Sequence, residues 1–419
     1  MYSLHLTAEQ LEFRDTVRDF VEREIKPAAL HPDRLQPFEK PLLTDLLEKA
    51  SRMGLRTLAL SEEAGGAGAD TLTTCIVLEE LAAGDVDIAA ALGQTALLGR
   101  ELFGAGMTAA ARERFLPQFV ADDHWHLALA GARNAAVGWC YHRPLSVEAD
   151  AELTAVKKGG DWLINGTLPY VANGPIAKLF AVQARTDARK TGMQGMSTLF
   201  VPRDTAGVTV RDTIRAIGGT AAGGDPGIRW HHGPGAAVAF KDCKVPANHL
   251  VGKEGQTPLA GGVPPTRADP ALAAINLGVG RAAYEAAVEY AKLRRQGGRN
   301  IIEHQAIGTK LAECAIKLEL ARTMIWKAAW AADHPAAVAD RSISGLPLHA
   351  IARVFTAEAV HEVTLYAAEC FGAMGVMRDM PLQKYVHDGM VFLHSEETDA
   401  AAKLQIAEAL AGFQRPMAA

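Results

Sequence analysis

The hydrophobic positions of the first third of the chain recur at helical spacing. Thr7 and Gln10 have the spacing of a capping box. The apolar residues that follow them keep one helical face: Leu11, Phe13, Val17, Phe20 and Val21. Residues 43–53 and 72–83 show similar patterns. We therefore predict a helical N-terminal domain over residues 1–124.

From about Trp125 the pattern changes to short runs rich in β-branched and aromatic residues, separated by Gly and Pro. The runs predicted to be strands are residues 153–158, 162–164, 178–184, 196–202, 208–210 and 236–240. They predict a compact central β-domain over residues 125–253. Residues 217–235 are rich in glycine and predict an irregular loop, in which His231 and His232 are expected to face solvent rather than bind a metal.

Helical spacing returns after Pro270. The apolar positions that predict two long helices are Val279, Ala282, Ala283, Ala286, Ala287, Tyr290 and Ala291 in the first and Ile307, Leu311, Cys314, Leu318, Ala321 and Ile325 in the second. Residues 348–369 and 397–410 predict two more helices. Residues 254–419 are therefore predicted to form a C-terminal four-helix bundle. The whole chain is predicted to have an α+β fold that is mainly α.

The composition narrows the function without defining it. The 419 residues carry a formal net charge of -5, with 49% hydrophobic and 22% charged residues, which is ordinary for a globular protein with a large core. Neither a nucleic acid nor a membrane is expected as a partner, because the net charge is negative and no bilayer-length apolar run is present. The five cysteines are scattered without CxxC spacing, which argues against disulfides and zinc and favours a cytoplasmic protein.

The strongest chemical signal lies near the C-terminus, where Glu396 and Glu397 follow the apolar run 390–393. A carboxylate beside apolar residues can have a raised pKa, which makes it a useful base. The alternative interpretation is a solvated acidic pair that interacts with the dipole of a helix start. This short stretch alone does not separate the two interpretations.

The order of helices, β-domain and helices resembles the acyl-CoA dehydrogenase family over nearly the whole chain, and four motifs carry this resemblance. They stand in the family's order at residues 162–174 (WLING and YVANG), 238–252 (VAFKDCKVP and LVG), 294–305 (RRQGG and EHQ) and 371–375 (FGAMG). The run from Pro381 to Asp388 resembles the helix that precedes the family's catalytic glutamate, and Glu396 falls on that glutamate.

The resemblance implies FAD as cofactor, an acyl-CoA thioester as substrate, a homotetramer or homodimer, and an electron-transfer flavoprotein as electron acceptor. In the implied reaction Glu396 removes the α-proton of the thioester, hydrogen bonds stabilise the enolate, and a hydride passes from the β-carbon to the flavin. The positions that match the family's cofactor contacts are Tyr170, Ala172, Arg294, Gln305, Phe371, Gly372, Gly375 and Thr398. No metal is expected.

Several groups that the family places around the flavin are replaced in this chain. The family's T-E-P-x-x-G-S loop reads AGARNAAVG over residues 130–138, without a hydroxyl group. Ala172 stands where the family has a threonine, and Glu369 stands where it has a glutamine near the pyrophosphate. Gly297 replaces an aromatic residue, and Glu397 replaces a glycine. Since each polar contact contributes roughly 1 kcal/mol, these losses together predict weakened or abolished FAD binding.

Two further carboxylates are expected near the acyl pocket as additional catalytic candidates. Asp269 replaces an arginine common in the family and lies one residue from the position of an alternative base. Asp87 stands where small polar residues usually face the pocket. If both converge with Glu396, the pocket holds several bases, which would suit an alicyclic or dienyl thioester. The alternative interpretation of each acid is a helix cap.

Three functions follow from these residues. The first is an FAD-dependent oxidoreductase that acts on the CH–CH group of an acyl-CoA, with an alicyclic substrate as one option. The second is a flavin-independent isomerase, hydratase or lyase that uses the same carboxylates on a CoA thioester. The third is a degenerate partner subunit of a hetero-oligomeric acyl-CoA dehydrogenase.

Overall fold

The computed structural model of the chain describes residues 5–31, 42–104, 107–131, 153–190, 195–212, 232–255, 269–377, 379–394 and 399–412. Within these ranges, helices precede and follow a β-sheet. The predicted order of elements and the predicted α+β, mainly α, fold are therefore confirmed. In the same ranges, no helix combines the length and the apolar character that crossing a membrane requires.

The N-terminal helices are α1 (Ala8–Phe20), α2 (Lys26–Ala29), α3 (Thr44–Arg52), α4 (Thr71–Gly84), α5 (Val86–Leu102) and α6 (Ala109–Ala121). The predicted capping box begins α1, because Thr7 and Gln10 exchange backbone-to-side-chain hydrogen bonds. Asp85 Oδ1 caps α5 by accepting from the backbone N–H groups of Asp87 and Ile88. Asp87 therefore lies in the first turn of a helix that is buried on most sides.

The sheet contains β1 (His126–Ala130), β2 (Leu153–Lys158), β3 (Asp161–Ala172), β4 (Ala177–Arg185), β5 (Met196–Pro202), β6 (Val208–Asp212), β7 (Gly235–Pro246) and β8 (Leu250–Val251). Seven of these strands follow the order β6-β7-β3-β2-β4-β5-β8, and β1 pairs with β4 in parallel. The predicted short strand at 162–164 continues to Ala172, so that Tyr170 and Ala172 belong to β3. The antiparallel register pairs Ala172 with Gly235.

The C-terminal helices are α7 (Ala271–Leu293), α8 (Gln305–Asp333), α9 (Pro335–Ala339), α10 (Leu348–Phe371), α11 (Leu382–His394) and α12 (Asp399–Ala411), with a short hairpin of β9 (Arg295–Gln296) and β10 (Arg299–Asn300) after α7. Helices α7, α8 and α10 pack against one another, and α11 and α12 pack on α10. One apolar core runs from Leu78 in α4 through Ile275 in α7 to Val360 in α10. The two helical parts of the chain therefore share a core, and the domain boundaries at 124 and 253 remain predictions.

Candidate functional site

The segment 232–235 joins three elements that carry or lead to candidate site residues. The backbone N–H of Gly233 donates to Asp87 Oδ1 in α5, over 2.9 Å. His232 Nε2 lies 2.9 Å from the carbonyl oxygen of Asp388 in α11. The proline carbonyl of the segment accepts from Asn173 N, one residue beyond β3, over 2.7 Å. Helix α5, helix α11 and the end of β3 therefore meet at this segment.

His232 lies inside the molecule, between α5 and α11. Its side chain is 7% exposed and that of Asp87 is 1% exposed, with 3.9 Å between His232 Nδ1 and Asp87 Oδ1. The His232 ring also packs on Phe392, with 4.4 Å between ring centroids. The prediction that His232 faces solvent is wrong, because an aromatic ring and a carboxylate from two helices cover it. His231 lies outside the described residues.

A buried ion pair stands beside this contact. Lys384 Nζ bonds Asp388 Oδ2 over 2.7 Å, and the two side chains are 3% and 1% exposed. Burial alone would lower the pKa of Lys384, but the carboxylates of Asp388, Asp85 and Asp87 outweigh it and raise that pKa. The ammonium therefore remains charged, and acidic groups of both helices stabilise its charge.

Tyr170 and Ala172 share one face of β3, as residues two apart on a strand must, and both are half-buried. The Tyr170 ring lies against Gly235, where an added Cβ would come within 2.1 Å of Tyr170 Cε2. Ala172 O accepts from Gln94 Nε2 in α5 over 3.1 Å. The end of β3 is therefore fixed to the buried helix that carries Asp87.

Asn173 directly follows this strand and has a left-handed backbone conformation (φ 61°), which asparagine tolerates better than most residues. Its Nδ2 donates to Ala91 O over 2.8 Å and to Thr95 Oγ1 over 3.2 Å. These bonds fix the turn after β3 to the middle of α5. They explain why the YVANG motif carries an asparagine at this position.

Asp269 is bound at the opposite end of α5 from Asp87. Its Oδ2 lies 2.9 Å from Arg100 Nη2, and its Oδ1 accepts from the backbone N–H of Ala271 at the start of α7. Asp87 and Arg100 are thirteen positions apart on one helix, which corresponds to about 20 Å along its axis. Asp87 and Asp269 are therefore held at opposite ends of α5, and the hypothesis that both lie beside Glu396 stays a prediction. Asp269 directly precedes Pro270, the N-cap residue of α7.

Five of the predicted cofactor residues gather at the far end of the bundle: Arg294, Gln305, Phe371, Gly372 and Gly375. The Phe371 ring stacks on Tyr290 with 4.1 Å between centroids. Gly93 precedes Gln94, whose side chain donates to Ala172 O. An added Cβ at Gly93 would lie 3.5 Å from Ile275 Cδ1 near the start of α7. Arg294 follows the end of α7, about 28 Å from Ile275 along the helix axis. One chain therefore does not bring this group to Tyr170 and Ala172.

Two of the replaced family positions have local compensation at that end. Glu369 forms an exposed ion pair with Lys310, so its charge is balanced by a neighbouring ammonium instead of standing alone. The expectation that Glu369 would repel a pyrophosphate is weakened accordingly. Gly297 and Gly298 form the two-residue turn of the β9–β10 hairpin, both with positive φ. Such a turn favours glycine, which gives a local reason for the loss of the aromatic residue.

Near the loop that lacks hydroxyl groups, the buried Gln183 on β4 fills the space beside Gly131. An added Cβ at Gly131 would lie 2.2 Å from Gln183 Oε1. A carboxamide therefore provides a polar group where a side chain at position 131 would have extended. Residues 132–138 of this loop lie outside the described residues.

Glu396 and Thr398 also lie outside the described residues. Helix α11 ends at His394, two residues before Glu396, and α12 begins at Asp399. The prediction that Glu396 is the catalytic base thus stays a prediction, but the helix that leads to it is the one that contacts His232.

The sequence interpretation assigned no role to Lys384, Gln183 or Lys310, and it predicted the wrong exposure for His232. Lys384 had a readable signal, because it stands four residues before Asp388 in a predicted helix and such pairs share a helical face. Gln183 also had one, as the polar residue in an apolar strand. The positions of His232 and Lys310 depend on contacts between distant parts of the chain.

Comparison with known families accounts for this arrangement. The chain matches the family models for the N-terminal domain of acyl-CoA dehydrogenase at residues 7–123, the middle domain at 146–223 and the C-terminal domain at 267–411. It is 30% identical to benzylmalonyl-CoA dehydrogenase from Aromatoleum aromaticum, over 96% of this chain and 98% of that protein. It is 28% identical to the mitochondrial isobutyryl-CoA dehydrogenase of Dictyostelium discoideum, over 97% and 90% respectively.

The fold agrees with these sequence matches. The structure of butyryl-CoA dehydrogenase from Megasphaera elsdenii superimposes with a TM-score of 0.79 at 25% identity, covering 98% of this chain and all of that one. These relatives are oxidoreductases that act on acyl-CoA thioesters, as the sequence predicted. The family resemblance is confirmed, and the chain belongs to the acyl-CoA dehydrogenase family.

Proposed function

We propose that the protein is an FAD-dependent acyl-CoA dehydrogenase in which Glu396 takes the α-proton of the substrate. The observation that carries this proposal is the meeting of β3, α5 and α11 at segment 232–235. It joins the strand that ends in Tyr170 and Ala172 to the helix that leads into Glu396. Family membership supports the reaction class.

In this proposal the carboxylate of Glu396 accepts the α-proton, and hydrogen bonds to the thioester oxygen, including one from the Glu396 backbone N–H, stabilise the developing enolate. When bound, FAD supplies the two-electron oxidant that accepts the hydride from the β-carbon. Loss of one proton and one hydride leaves a carbon–carbon double bond beside the thioester. The covered position of α11 beneath segment 232–235 supports a base held away from bulk water.

The residues present fit FAD at two sites on the molecule. Tyr170 offers a ring at the end of β3, and Gln183 offers a carboxamide beside Gly131. Lys310 balances the charge of Glu369 at the far end of the bundle, near the exposed Arg294. Because the two sites are about 28 Å apart along α7, we propose that a second copy of the chain brings its bundle end to the first, in a homodimer or homotetramer.

The substrate is proposed to be an acyl-CoA thioester, with an alicyclic acyl group as one option. The named relatives act on isobutyryl-, butyryl- and benzylmalonyl-CoA, so these thioesters and cyclohexanecarbonyl-CoA form a suitable test panel. The ion pair with Arg100 argues against Asp269 as an additional base, which supports the flavin enzyme over the flavin-independent one. An electron-transfer flavoprotein as acceptor and a cytoplasmic location complete the proposal.

The first test is the absorbance spectrum of the purified protein, followed by turnover of the thioester panel with an artificial electron acceptor. We expect flavin bands and oxidation of at least one thioester. Glu396→Gln should lower turnover by roughly 10³-fold or more while flavin absorbance is kept, because the base is lost and the fold is not. Glu397→Gln is the matched control and should keep turnover within about tenfold.

The outcomes separate the three functions. Colourless protein that takes up no FAD, yet exchanges the α-proton of a thioester with solvent deuterium, would favour the flavin-independent enzyme. Colourless protein that is inactive alone would favour a partner subunit. Full activity in Glu396→Gln would remove Glu396 from the mechanism.

A further inference from the structure

The protonation of His232 follows from the atoms that surround its ring. A carbonyl oxygen can only accept a hydrogen bond, so His232 Nε2, at 2.9 Å from Asp388 O, carries a hydrogen. In a neutral ring Nδ1 would then present a lone pair to the carboxylate of Asp87, 3.9 Å away. A second proton on Nδ1 turns this repulsion into an ion pair.

The charges of the surrounding elements favour the same state. The start of α5 contributes the carboxylates of Asp85 and Asp87. Helix α11 contributes the carboxylate of Asp388 and the ammonium of Lys384, and His387 Nδ1 lies 3.5 Å from Asp388 Oδ1. Three carboxylates thus face one ammonium among these neighbours. An imidazolium at His232 reduces the excess of negative charge in this buried region.

The geometry also limits what this ring can do. Its Nε2 is engaged by a backbone carbonyl and one face of the ring lies on Phe392, so it is not arranged to exchange a proton with a substrate. Both α11 contacts lie shortly before Glu396: Phe392 precedes it by four residues. The ring also faces Asp87, whose Oδ1 accepts from the backbone N–H of Gly233. The ring therefore links the helix before the proposed base to the start of α5.

We propose that His232, as an imidazolium, is a positioning residue that fixes α11 against Asp87 and so sets the direction in which the chain enters Glu396. This inference rests on the proposed function for its effect on catalysis. The His232–Asp87 pairing itself does not depend on that function. The expected signature is coupling between the two side chains, in activity and in stability.

The test is a double-mutant cycle of His232→Gln and Asp87→Asn, assayed with a thioester that the wild type oxidises. Glutamine retains a donor toward Asp388 O but has no charge. We expect each single variant to lower kcat about tenfold, with KM and flavin content within about threefold, because the base is misdirected rather than lost. The double variant should also lose about tenfold rather than about a hundredfold, since both changes remove one interaction.

His249 provides the matched control, because it is another buried histidine bonded to a carbonyl and packed on a phenylalanine. Its Nδ1 lies 2.9 Å from Phe200 O, and its ring meets Phe115 edge-on at 5.0 Å. Burial lowers the pKa of His249, so this ring is neutral. His249→Gln should change stability but leave kcat within about twofold, since it lies away from α11.

Additive losses in the cycle, an unchanged kcat in His232→Gln, or an equal loss in His249→Gln would overturn the proposal. Chemical unfolding of the same variants gives their free energies of unfolding, which do not depend on catalysis. If the wild type oxidises no thioester, the proposed function fails, and non-additive unfolding free energies still test the pairing. Additive unfolding free energies would then refute the pairing of His232 with Asp87.

Discussion

The two ends of α5 each hold a buried carboxylate, but the carboxylates have different partners. At the C-terminal end, Asp269 is bound by the guanidinium of Arg100, which stays charged at every physiological pH. At the N-terminal end, Asp87 is bound by a backbone N–H and faces a histidine ring. One end has a permanent ion pair, and the other has a pair whose charge depends on a bound proton.

This difference separates a structural role from a functional one. The Arg100–Asp269 pair joins α5 to the start of α7 and continues through Thr71 to Asp333, so it links the two helical parts of the molecule. The Asp87 contact joins α5 to the segment and the helix that lead to the proposed catalytic groups. The role of a buried carboxylate can therefore be inferred only when its bonding partner is known.

The largest effect is expected from Arg100→Leu, which removes the cation from the C-terminal end. Asp269 would be left as a buried charge, so we expect the free energy of unfolding to fall by about 3 kcal/mol. Turnover of the folded fraction should stay within about twofold. Urea unfolding and steady-state kinetics on the same preparation measure both quantities.

The pH dependence of that loss follows from the same charge. Burial raises the pKa of Asp269, while Arg100 acts against that rise. Without Arg100 the pKa of Asp269 would rise further, so the stabilising effect of Arg100 is present above that raised pKa and is lost as pH falls through it. The variant Arg100→Leu/Asp269→Asn should recover most of the loss at neutral pH. A loss that is equal at every pH, or no recovery, would contradict the permanent ion pair.

Asp87→Asn, at the N-terminal end, is expected to change stability less than Arg100→Leu does and to change activity more. His232 can release its Nδ1 proton and stay hydrogen-bonded, so the free energy of unfolding should fall by about 2 kcal/mol, less than in Arg100→Leu. The kcat should nevertheless fall about tenfold, for the reason given above for its partner. If Asp87→Asn loses stability but not activity, the two ends of α5 do not differ in role and the comparison fails.

The two ends also show how far the sequence could predict this site. The motifs led to the correct family and order of domains, but the predicted strand at 162–164 stopped short of Tyr170 and the predicted helix at 348–369 stopped short of Phe371. Periodicity predicted α1, α7 and α8, whose sequences show apolar residues at helical spacing. It gave no signal for α5, because that helix is apolar on nearly every side and carries no stripe.

The sequence could not predict which residues that lie far apart in the chain contact one another. Asp87 and Asp269 are the same residue type, and the sequence does not distinguish their roles. They differ because Arg100 contacts Asp269 and His232 faces Asp87. The same holds for Glu369, whose charge is balanced by Lys310 from another helix. Such contacts depend on tertiary packing, whereas local patterns report one element at a time.

The smallest effect is expected in the middle of α5, at Thr95→Val. Thr95 Oγ1 accepts from Asn173 Nδ2 and from the backbone N–H of Leu127, and lies 3.3 Å from His126 Nδ1. Burial, with a smaller contribution from Arg56, lowers the pKa of His126 to about 3, so its ring is neutral and Nδ1 can accept a hydrogen bond from the Thr95 hydroxyl. Valine keeps the shape of threonine but removes all three interactions.

We expect Thr95→Val to lower the free energy of unfolding by about 1 kcal/mol, since Asn173 retains its bond to Ala91 O. Turnover should change less than threefold, and the stability loss should be the same from pH 6 to pH 9 because His126 carries no proton to lose in that range. Thr95→Ser, which keeps the hydroxyl, is the control. A loss of turnover near that of Asp87→Asn would mean that the whole length of α5, and not its N-terminal end alone, sets the geometry of the site.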